Sequence, residues 1–254
     1  MKNILLTISY DGMPYSGWQR QPDAVTVQGE IERVLSGLCG FDVTVDGTSR
    51  TDAGVHALGQ RATFSGDIKI PVCRICYAAN NLLPESIRLL AAEEVPEGFH
   101  ARYDSKGKTY IYKIIASDDV DPFMRDHYYF AGRGLDEASM RSAAKALEGT
   151  HDFKSFEASG SYERKTTVRT ISRIDLKKKT AEAPSGKMLD ELDIEVTGDG
   201  FLYNMVRIIA GTLTDVGKGK IGFGDMERII EGKDRALAGH TAPPQGLYLK
   251  KIYY

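Results

Sequence analysis

The chain has 254 residues, of which 42% are apolar and 27% charged, and its formal net charge at pH 7 is −2. This composition is that of an ordinary globular protein, and the length suffices for one large domain or two modest ones. The mildly acidic total gives no sign of a nucleic-acid binder, so an RNA-binding function would require locally clustered basic residues. No apolar run approaches the roughly 18 residues that span a membrane, and a cytoplasmic location is expected.

The first hundred residues predict the order strand, helix, strand, strand, helix, strand. Alternating apolar residues indicate a first strand over 3–11, and Thr26 is a candidate cap for a helix that Gly40 ends. The remaining predicted elements are strands over 41–47, 60–67 and 86–95, with a helix over 73–83 placed before the last of them.

Cys73 and Cys76 form a C-x-x-C pair inside the second predicted helix. Three cysteines are too few for a disulfide framework in a chain of this length. A structural zinc site requires a second pair of ligands at suitable spacing, and a redox pair requires a βαβ setting; the sequence offers neither. The two residues are therefore interpreted as buried helical thiols.

The second half predicts the same order of elements with one helix added. Strands are predicted over 108–117, 166–179, 188–199 and 245–254, and helices over 135–149, 202–219 and 223–233. The predicted fold class is α+β, with two ferredoxin-like halves, 1–103 and 104–254, whose mainly antiparallel sheets meet at a central cleft. Ferredoxin-like folds carry many functions, so the fold alone decides nothing.

Asp52 lies in a polar, glycine-containing connection between the second and third predicted strands. Loops held by a rigid sheet often carry catalytic groups. An Asp in a turn is nevertheless more often a capping residue, so this local pattern leaves both interpretations open. His56 has no partner at ligand spacing and is interpreted as a hydrogen-bonded structural residue.

Basic residues cluster in the second half between Arg164 and Lys179, with Asp175 as the one acidic residue of that range. The charge run alone fits either an RNA-binding strip or a solvated strand and its turn. The basic residues are Arg164, Lys165, Arg169, Arg173, Lys177, Lys178 and Lys179.

Eight stretches, in order from the first strand to the last, resemble the TruA-type tRNA pseudouridine synthases. Any one of them would be a weak signal, but together, at these separations, they are very specific. They are YDGMPYSGWQRQP, TVQGEIE, SRTDAGVHALGQ, FHARYDSKGKTYIYKI, LEGTHDFKSF, TTVRTI, GDGFLYNMVRIIAGTL and APPQGLYL.

The resemblance implies a role for four residues. Asp52 matches the nucleophile, and Arg50 matches the arginine that handles the flipped nucleotide. Tyr110 matches the tyrosine that stacks on the target base, and Arg207 the arginine that pairs with the catalytic Asp. Since the helix around Arg207 is largely apolar, this arginine should be buried and needs a carboxylate partner.

The resemblance further implies uridine isomerisation in the anticodon stem-loop of tRNA, at tRNA positions thirty-eight to forty, by a homodimer. No metal, nucleotide or redox cofactor is required, since the uracil neither gains nor loses atoms or electrons. Basic residues from two subunits can line one groove, which favours a role in RNA binding for Arg164, Lys165, Arg169, Lys177 and Lys178.

Two other functions remain open from the residues alone. The first is a catalytically silent RNA-binding protein with the same two-part fold, such as a folding chaperone for tRNA. The second is a phosphohydrolase with an Asp nucleophile, which is disfavoured because no second Asp follows Asp52 by two residues.

Overall fold

The computed structural model describes residues 1–160 and 165–254. The chain forms two compact units: Met1–Lys106 together with Tyr248–Tyr254 make unit 1, and Gly107–Leu247 make unit 2. The sequence predicts the last strand as part of the second half, 104–254, whereas residues 248–254 group with the first unit. Each unit mixes helices with a mostly antiparallel sheet, so the α+β class is confirmed.

Unit 1 is built on three antiparallel strands in the order β4-β1-β3. The short β2 pairs with one end of β3, and β10 runs parallel to β3 with Tyr248 opposite His56. The elements are β1 (Lys2–Tyr10), α1 (Val27–Cys39), β2 (Asp46–Gly47), β3 (His56–Gly66), α2 (Val72–Asn80), β4 (Ile87–Val95) and β10 (Leu247–Tyr253).

The predicted limits of α1 are confirmed. The Thr26 hydroxyl accepts a hydrogen bond from the Gly29 backbone N–H at 3.2 Å, which satisfies one of the free donors of the first turn. Gly40 ends the helix at φ 75°, a left-handed conformation that glycine adopts at little cost.

The predicted strand 41–47 is wrong for most of its length, because only Asp46 and Gly47 pair with β3. Side chains of α1 take the backbone groups that a strand ladder would use. Ser36 accepts from the Val43 N–H at 2.8 Å. Glu32 accepts from the Val45 N–H at 3.0 Å. With those groups satisfied by side chains, the segment has no need of a neighbouring strand.

The C-x-x-C segment lies in α2, as predicted, but the two thiols are not buried as expected. Cys73 is exposed and Cys76 is half-buried, while Ile75 and Ala79 occupy the inner face of the helix. Partial burial raises the pKa of the Cys76 thiol above its usual value.

Unit 2 contains antiparallel strands in the order β5-β9-β8-β7, with β6 parallel to β5. The elements are β5 (Gly107–Ile115), β6 (Tyr129–Phe130), α3 (Glu137–Ala146), β7 (Gly149–Asp152), β8 (Val168–Glu182), β9 (Met188–Gly198), α4 (Met205–Gly217) and α5 (Met226–Gly232). The sequence did not predict β6 and β7, which are short; β7 reads GTHD, and Gly and Asp are both poor strand formers. In the described part of the chain, every helix is too short or too polar to cross a membrane.

Candidate catalytic residues and their supports

Asp52 lies in the loop 48–55, which connects β2 to β3. Its side chain is half-buried, and its carbonyl accepts a hydrogen bond from the Val55 N–H at 3.1 Å. Gly54 closes this turn at φ 76°. A residue with a Cβ rarely adopts that conformation, so the glycine next but one to Asp52 sets the path of the loop. Arg50 is exposed two residues before Asp52.

Thr51, the residue before Asp52, makes hydrogen bonds through both its backbone and its side chain. The Thr51 carbonyl accepts from the Trp18 N–H at 3.0 Å. The Thr51 hydroxyl lies 2.7 Å from the Tyr10 hydroxyl. Gly17, at φ 91°, permits the close approach, because a Cβ there would lie 2.7 Å from the Thr51 oxygen. Trp18 is 1% exposed, so this support is anchored in the core of unit 1.

Gln60, on β3, fastens the start of the loop. Its side-chain amide donates to the Ser49 carbonyl at 2.6 Å and accepts from the Ser49 N–H at 3.3 Å. The carboxamide thus pairs with Ser49 as a neighbouring strand would. Gln60 is fully buried, so no water can replace it without opening the loop.

Substituting Gln60→Leu should lower the free energy of unfolding by about 2–4 kcal/mol. The leucine fills similar space but removes the two hydrogen bonds that the amide makes to the buried backbone of Ser49, each at a cost of about 1–2 kcal/mol. Urea unfolding of the variant measures the loss. Gln21→Leu is the matched control, since Gln21 is exposed and should change stability by less than about 0.5 kcal/mol. Equal midpoints for Gln60→Leu and the wild type would show that this amide does not hold the loop.

His56 begins β3 at the other end of the loop. The ring is 1% exposed and stacks on Tyr248, with ring centres 4.5 Å apart. Its Nδ1 lies 3.2 Å from the Gly12 backbone N–H and 3.1 Å from the Asp11 carboxylate. A neutral ring accepts from the first group, and a protonated ring donates to the second. Both contacts agree with the structural role inferred for His56 from the sequence.

The residues 248–254 support the same loop at its first residue. The Tyr254 hydroxyl lies 2.9 Å from the Thr48 hydroxyl and donates to the Ala101 carbonyl at 2.9 Å. Together with the Tyr248 ring against His56, this contact means that the last residues of unit 1 brace both ends of the Asp52 loop.

Tyr110 and Tyr112 lie on one face of β5 in unit 2. Tyr110 is 7% exposed and meets the Phe201 ring edge-on at 5.3 Å. Tyr112 is fully buried and donates its hydroxyl to the Pro243 carbonyl at 2.7 Å. Burial raises the pKa of Tyr112 well above its usual value, so the hydroxyl stays protonated. Tyr112 is therefore a core residue of unit 2.

Arg207 is the third residue of α4 and is half-buried, not fully buried as the sequence predicts. Its Nε donates to the Ala242 carbonyl at 2.8 Å, and one Nη donates to the Asn204 side chain at 2.8 Å. Asn204 precedes the helix at φ 58°, an uncommon conformation outside glycine. Two fixed hydrogen bonds thus orient the guanidinium plane within unit 2.

The basic residues predicted to bind RNA, here called the basic strip, are Arg164, Lys165, Arg169, Lys177 and Lys178. Three of those that the structure describes make ion pairs or hydrogen bonds within the protein. Lys177 pairs with Glu195 at 3.0 Å and Lys178 with Glu137 at 3.1 Å. Lys165 is exposed, and Arg169 donates to the backbone carbonyls of residues 166 and 168. Arg164, also predicted for the strip, lies outside the described residues. Exposed ion pairs contribute only about 0–1 kcal/mol, so phosphate groups can compete for these lysines.

If the strip binds RNA, removing its charges should flatten the salt dependence of tRNA affinity. The double variants Lys165→Ala with Arg169→Ala, and Lys177→Ala with Lys178→Ala, should each lower the slope of log affinity against log salt by about 1.5–2. Affinity titrations between low and moderate salt measure the slope, with Lys69→Ala in unit 1 as the control. An unchanged salt slope in both double variants would show that these residues form a solvated surface and do not bind the RNA.

Several supporting residues escaped the sequence reasoning. The Asp52 loop is held by Gln60 and Trp18, and the Arg207 guanidinium is held by Asn204. No local sequence pattern marks these three as supporting residues. Gln60 does end the motif SRTDAGVHALGQ, and a search of that motif for a buried amide could have found it.

Comparisons with known proteins give matches over most or all of the chain. Residues 6–104 and 143–254 match a family model described as tRNA pseudouridine synthase. The chain is 50% identical over 254 residues to tRNA pseudouridine synthase A of Ruminiclostridium cellulolyticum. It is 48% identical over 255 residues to the protein of that name from Acetivibrio thermocellus, and 44% identical over 254 residues to that from Caldicellulosiruptor bescii. In all three cases the match covers 100% of both chains. The family model includes Arg50, Asp52 and Arg207, while Tyr110 lies between its two matched ranges.

Proposed function

The chain belongs to the tRNA pseudouridine synthase family, and from this premise we propose that it isomerises uridine in the anticodon stem-loop of tRNA, at tRNA positions thirty-eight to forty. The observation that carries the proposal is full-length similarity to proteins named tRNA pseudouridine synthase A, which spans the Asp52 loop. The rigid supports of that loop suit a group that must be held in one place for catalysis.

In the proposed reaction the N1–C1′ bond of uridine breaks, the uracil turns, and C5 bonds to C1′. The proton displaced from C5 is lost, and N1 takes up a proton in its place, so atoms and electrons balance. An ionised carboxylate supplies the nucleophile, and Asp52 is the residue assigned to that role. The target nucleotide must leave its stack before the carboxylate can reach it.

Three further residues serve this step in the proposal. Arg207 pairs with the Asp52 carboxylate, because a nearby guanidinium lowers the pKa of an Asp and keeps it ionised. Arg50, exposed in the same loop, contacts the flipped nucleotide. Tyr110 stacks on the base and replaces part of the stacking lost from the RNA. The assignments follow from the motif matches, and the hydrogen bonds that orient Arg207 fit its role.

The arrangement of the protein is part of the proposal. Each half is taken as ferredoxin-like; the order β4-β1-β3, with β2 beside β3, supports this for unit 1. The protein acts as a homodimer on which tRNA lies across both subunits, so basic residues of two copies contribute to one groove. Light scattering of the purified protein tests the dimer, and a monomeric mass with full activity would contradict it.

Isomerisation of unmodified tRNA transcripts by the purified protein tests the function. Transcripts labelled with tritium at C5 of uridine should release the label, because each turnover removes the C5 proton. Replacing uridine by cytidine at positions thirty-eight to forty should stop the release. Continued release from those transcripts would place the substrate uridine elsewhere in the tRNA, and no release from either would refute the isomerisation.

A further inference from the structure

Residues 239–243, which we call the strap, lie along α4 in unit 2. The Gly239 N–H donates to the Thr212 hydroxyl at 2.9 Å, and the His240 N–H donates to the Asp215 carboxylate at 3.1 Å. The Thr212 hydroxyl in turn donates to the Ile208 carbonyl inside the helix. The first half of the strap is therefore tied to the end of α4 by its backbone.

The strap approaches α4 so closely that one helix position has to be glycine. A Cβ on Gly211 would lie 1.9 Å from the His240 carbonyl oxygen, closer than any side chain permits. Arg207, Gly211 and Asp215 are spaced four residues apart, so they form one ridge of the helix. The strap follows this ridge from Asp215 towards Arg207.

The other end of the strap holds the Arg207 side chain. The Ala242 N–H donates to the Arg207 carbonyl at 3.1 Å, and the Ala242 carbonyl accepts from the Arg207 Nε at 2.8 Å. A single strap residue thus fixes both the backbone and the guanidinium of Arg207. Any sliding of the strap along α4 would turn the guanidinium plane.

The His240 side chain prevents such sliding. Its Nδ1 lies 2.8 Å from the Asp215 carboxylate, and its Nε2 lies 3.2 Å from the Tyr129 hydroxyl. Burial alone would raise the pKa of Asp215, but hydrogen bonds from His240 and Lys220 outweigh it and lower the pKa. Because an ionised carboxylate only accepts, Nδ1 carries the proton, and the Nε2 of a neutral ring accepts from Tyr129. The ring is held from both sides.

We propose that His240 is a positioning residue for Arg207: held by Asp215 and Tyr129, it locks the strap and keeps the Ala242 carbonyl aimed at the guanidinium. The inference rests on the proposed function, in which Arg207 acts on the Asp52 carboxylate. A group whose orientation is fixed before the reaction needs no reorganisation during it, so the effect of His240 should appear in turnover more than in tRNA binding.

Two substitutions of His240 separate positioning from general stability. His240→Ala removes both ring contacts and should lower kcat about tenfold, while KM for tRNA changes by less than about twofold. His240→Asn should retain most of kcat, because its side-chain amide nitrogen takes the place of Nδ1 and donates to Asp215. His151→Ala is the matched control: His151 is also half-buried in unit 2 and bonds only to a neighbouring carbonyl in the described structure.

A second measurement follows the Arg207 side chain without relying on activity. The 15N relaxation of the Arg207 Nε–H should report a rigid group in the wild type, in His240→Asn and in the control, but a mobile group in His240→Ala. An Arg207 Nε–H that stays rigid in His240→Ala overturns the proposal, and so does an equal loss of kcat in the Ala and Asn variants. If the wild type forms no pseudouridine, the proposed function has failed, and the relaxation result still decides whether His240 positions Arg207.

Discussion

Replacing Asp52 with alanine should lower pseudouridine formation by at least about a thousandfold and leave tRNA affinity within about twofold. Asp52 is the one carboxylate in residues 48–55, so no neighbour in the loop can take over its role. The backbone contacts that hold the loop come from Thr51, Val55 and Ser49, and they do not involve the carboxylate. Alanine should therefore remove the chemistry and spare the shape of the loop.

Tritium release under single-turnover conditions measures the rate, and a filter-binding titration measures the affinity. Asp46→Ala is the control, since Asp46 is an exposed carboxylate of β2 only six residues away. Product formation near the wild-type rate in Asp52→Ala would show that another group is the nucleophile. A large loss of affinity would instead assign Asp52 to RNA recognition, as expected of a catalytically silent RNA-binding protein.

The Tyr110→Phe variant should keep most of the pseudouridine-forming activity, and the Tyr110→Leu variant should lose most of it. Stacking of a base on an aromatic ring contributes about 1–3 kcal/mol, so losing the ring should slow the reaction by roughly ten- to hundredfold. Phenylalanine keeps the ring, and leucine keeps much of the volume against Phe201 but presents no aromatic face. Leucine is preferred to alanine here, because emptying a site that is 7% exposed would cost about 3–5 kcal/mol of stability by itself.

The rates of the two Tyr110 variants are compared with their thermal unfolding. Rates close to the wild type in Tyr110→Leu would exclude a stacking role. A rate loss in Tyr110→Phe equal to that in Tyr110→Leu would assign the function to the hydroxyl. If the loss of rate in each variant matches the fraction of unfolded protein at the assay temperature, Tyr110 has only a structural role in the core of unit 2.

The helix limits and long strands of this fold could be predicted because their signals are local. Thr26 and Gly40 mark the two ends of α1 within the sequence itself. The predicted strand 41–47 is wrong for the opposite reason. The backbone N–H groups of Val43 and Val45 bond to side chains of α1, Ser36 and Glu32, instead of to a neighbouring strand. The local pattern of residues 41–47 does not show that these side chains are near.

For the candidate site, the sequence indicated the proposed functional residues but not the contacts that hold them. Asp52, Arg50, Tyr110 and Arg207 were identified through motif resemblance, since no local pattern raises any of them above an ordinary polar or aromatic residue. Several contacts that hold them join residues far apart in sequence, such as Thr51 with Tyr10 and Arg207 with Ala242. The ion pair of Lys177 with Glu195 depends likewise on the register of β8 against β9, which brings the two side chains together.

Because residues 248–254 belong to unit 1 but follow all of unit 2, the ribosome completes the first unit last. At about 5–20 residues per second, the 141 residues from Gly107 to Leu247 delay those supports by roughly 7–30 seconds. During that interval Tyr248 cannot stack on His56 and Tyr254 cannot reach Thr48. A nascent chain therefore carries Asp52 in an incompletely braced loop, and the enzyme should become competent only after the final strand has emerged.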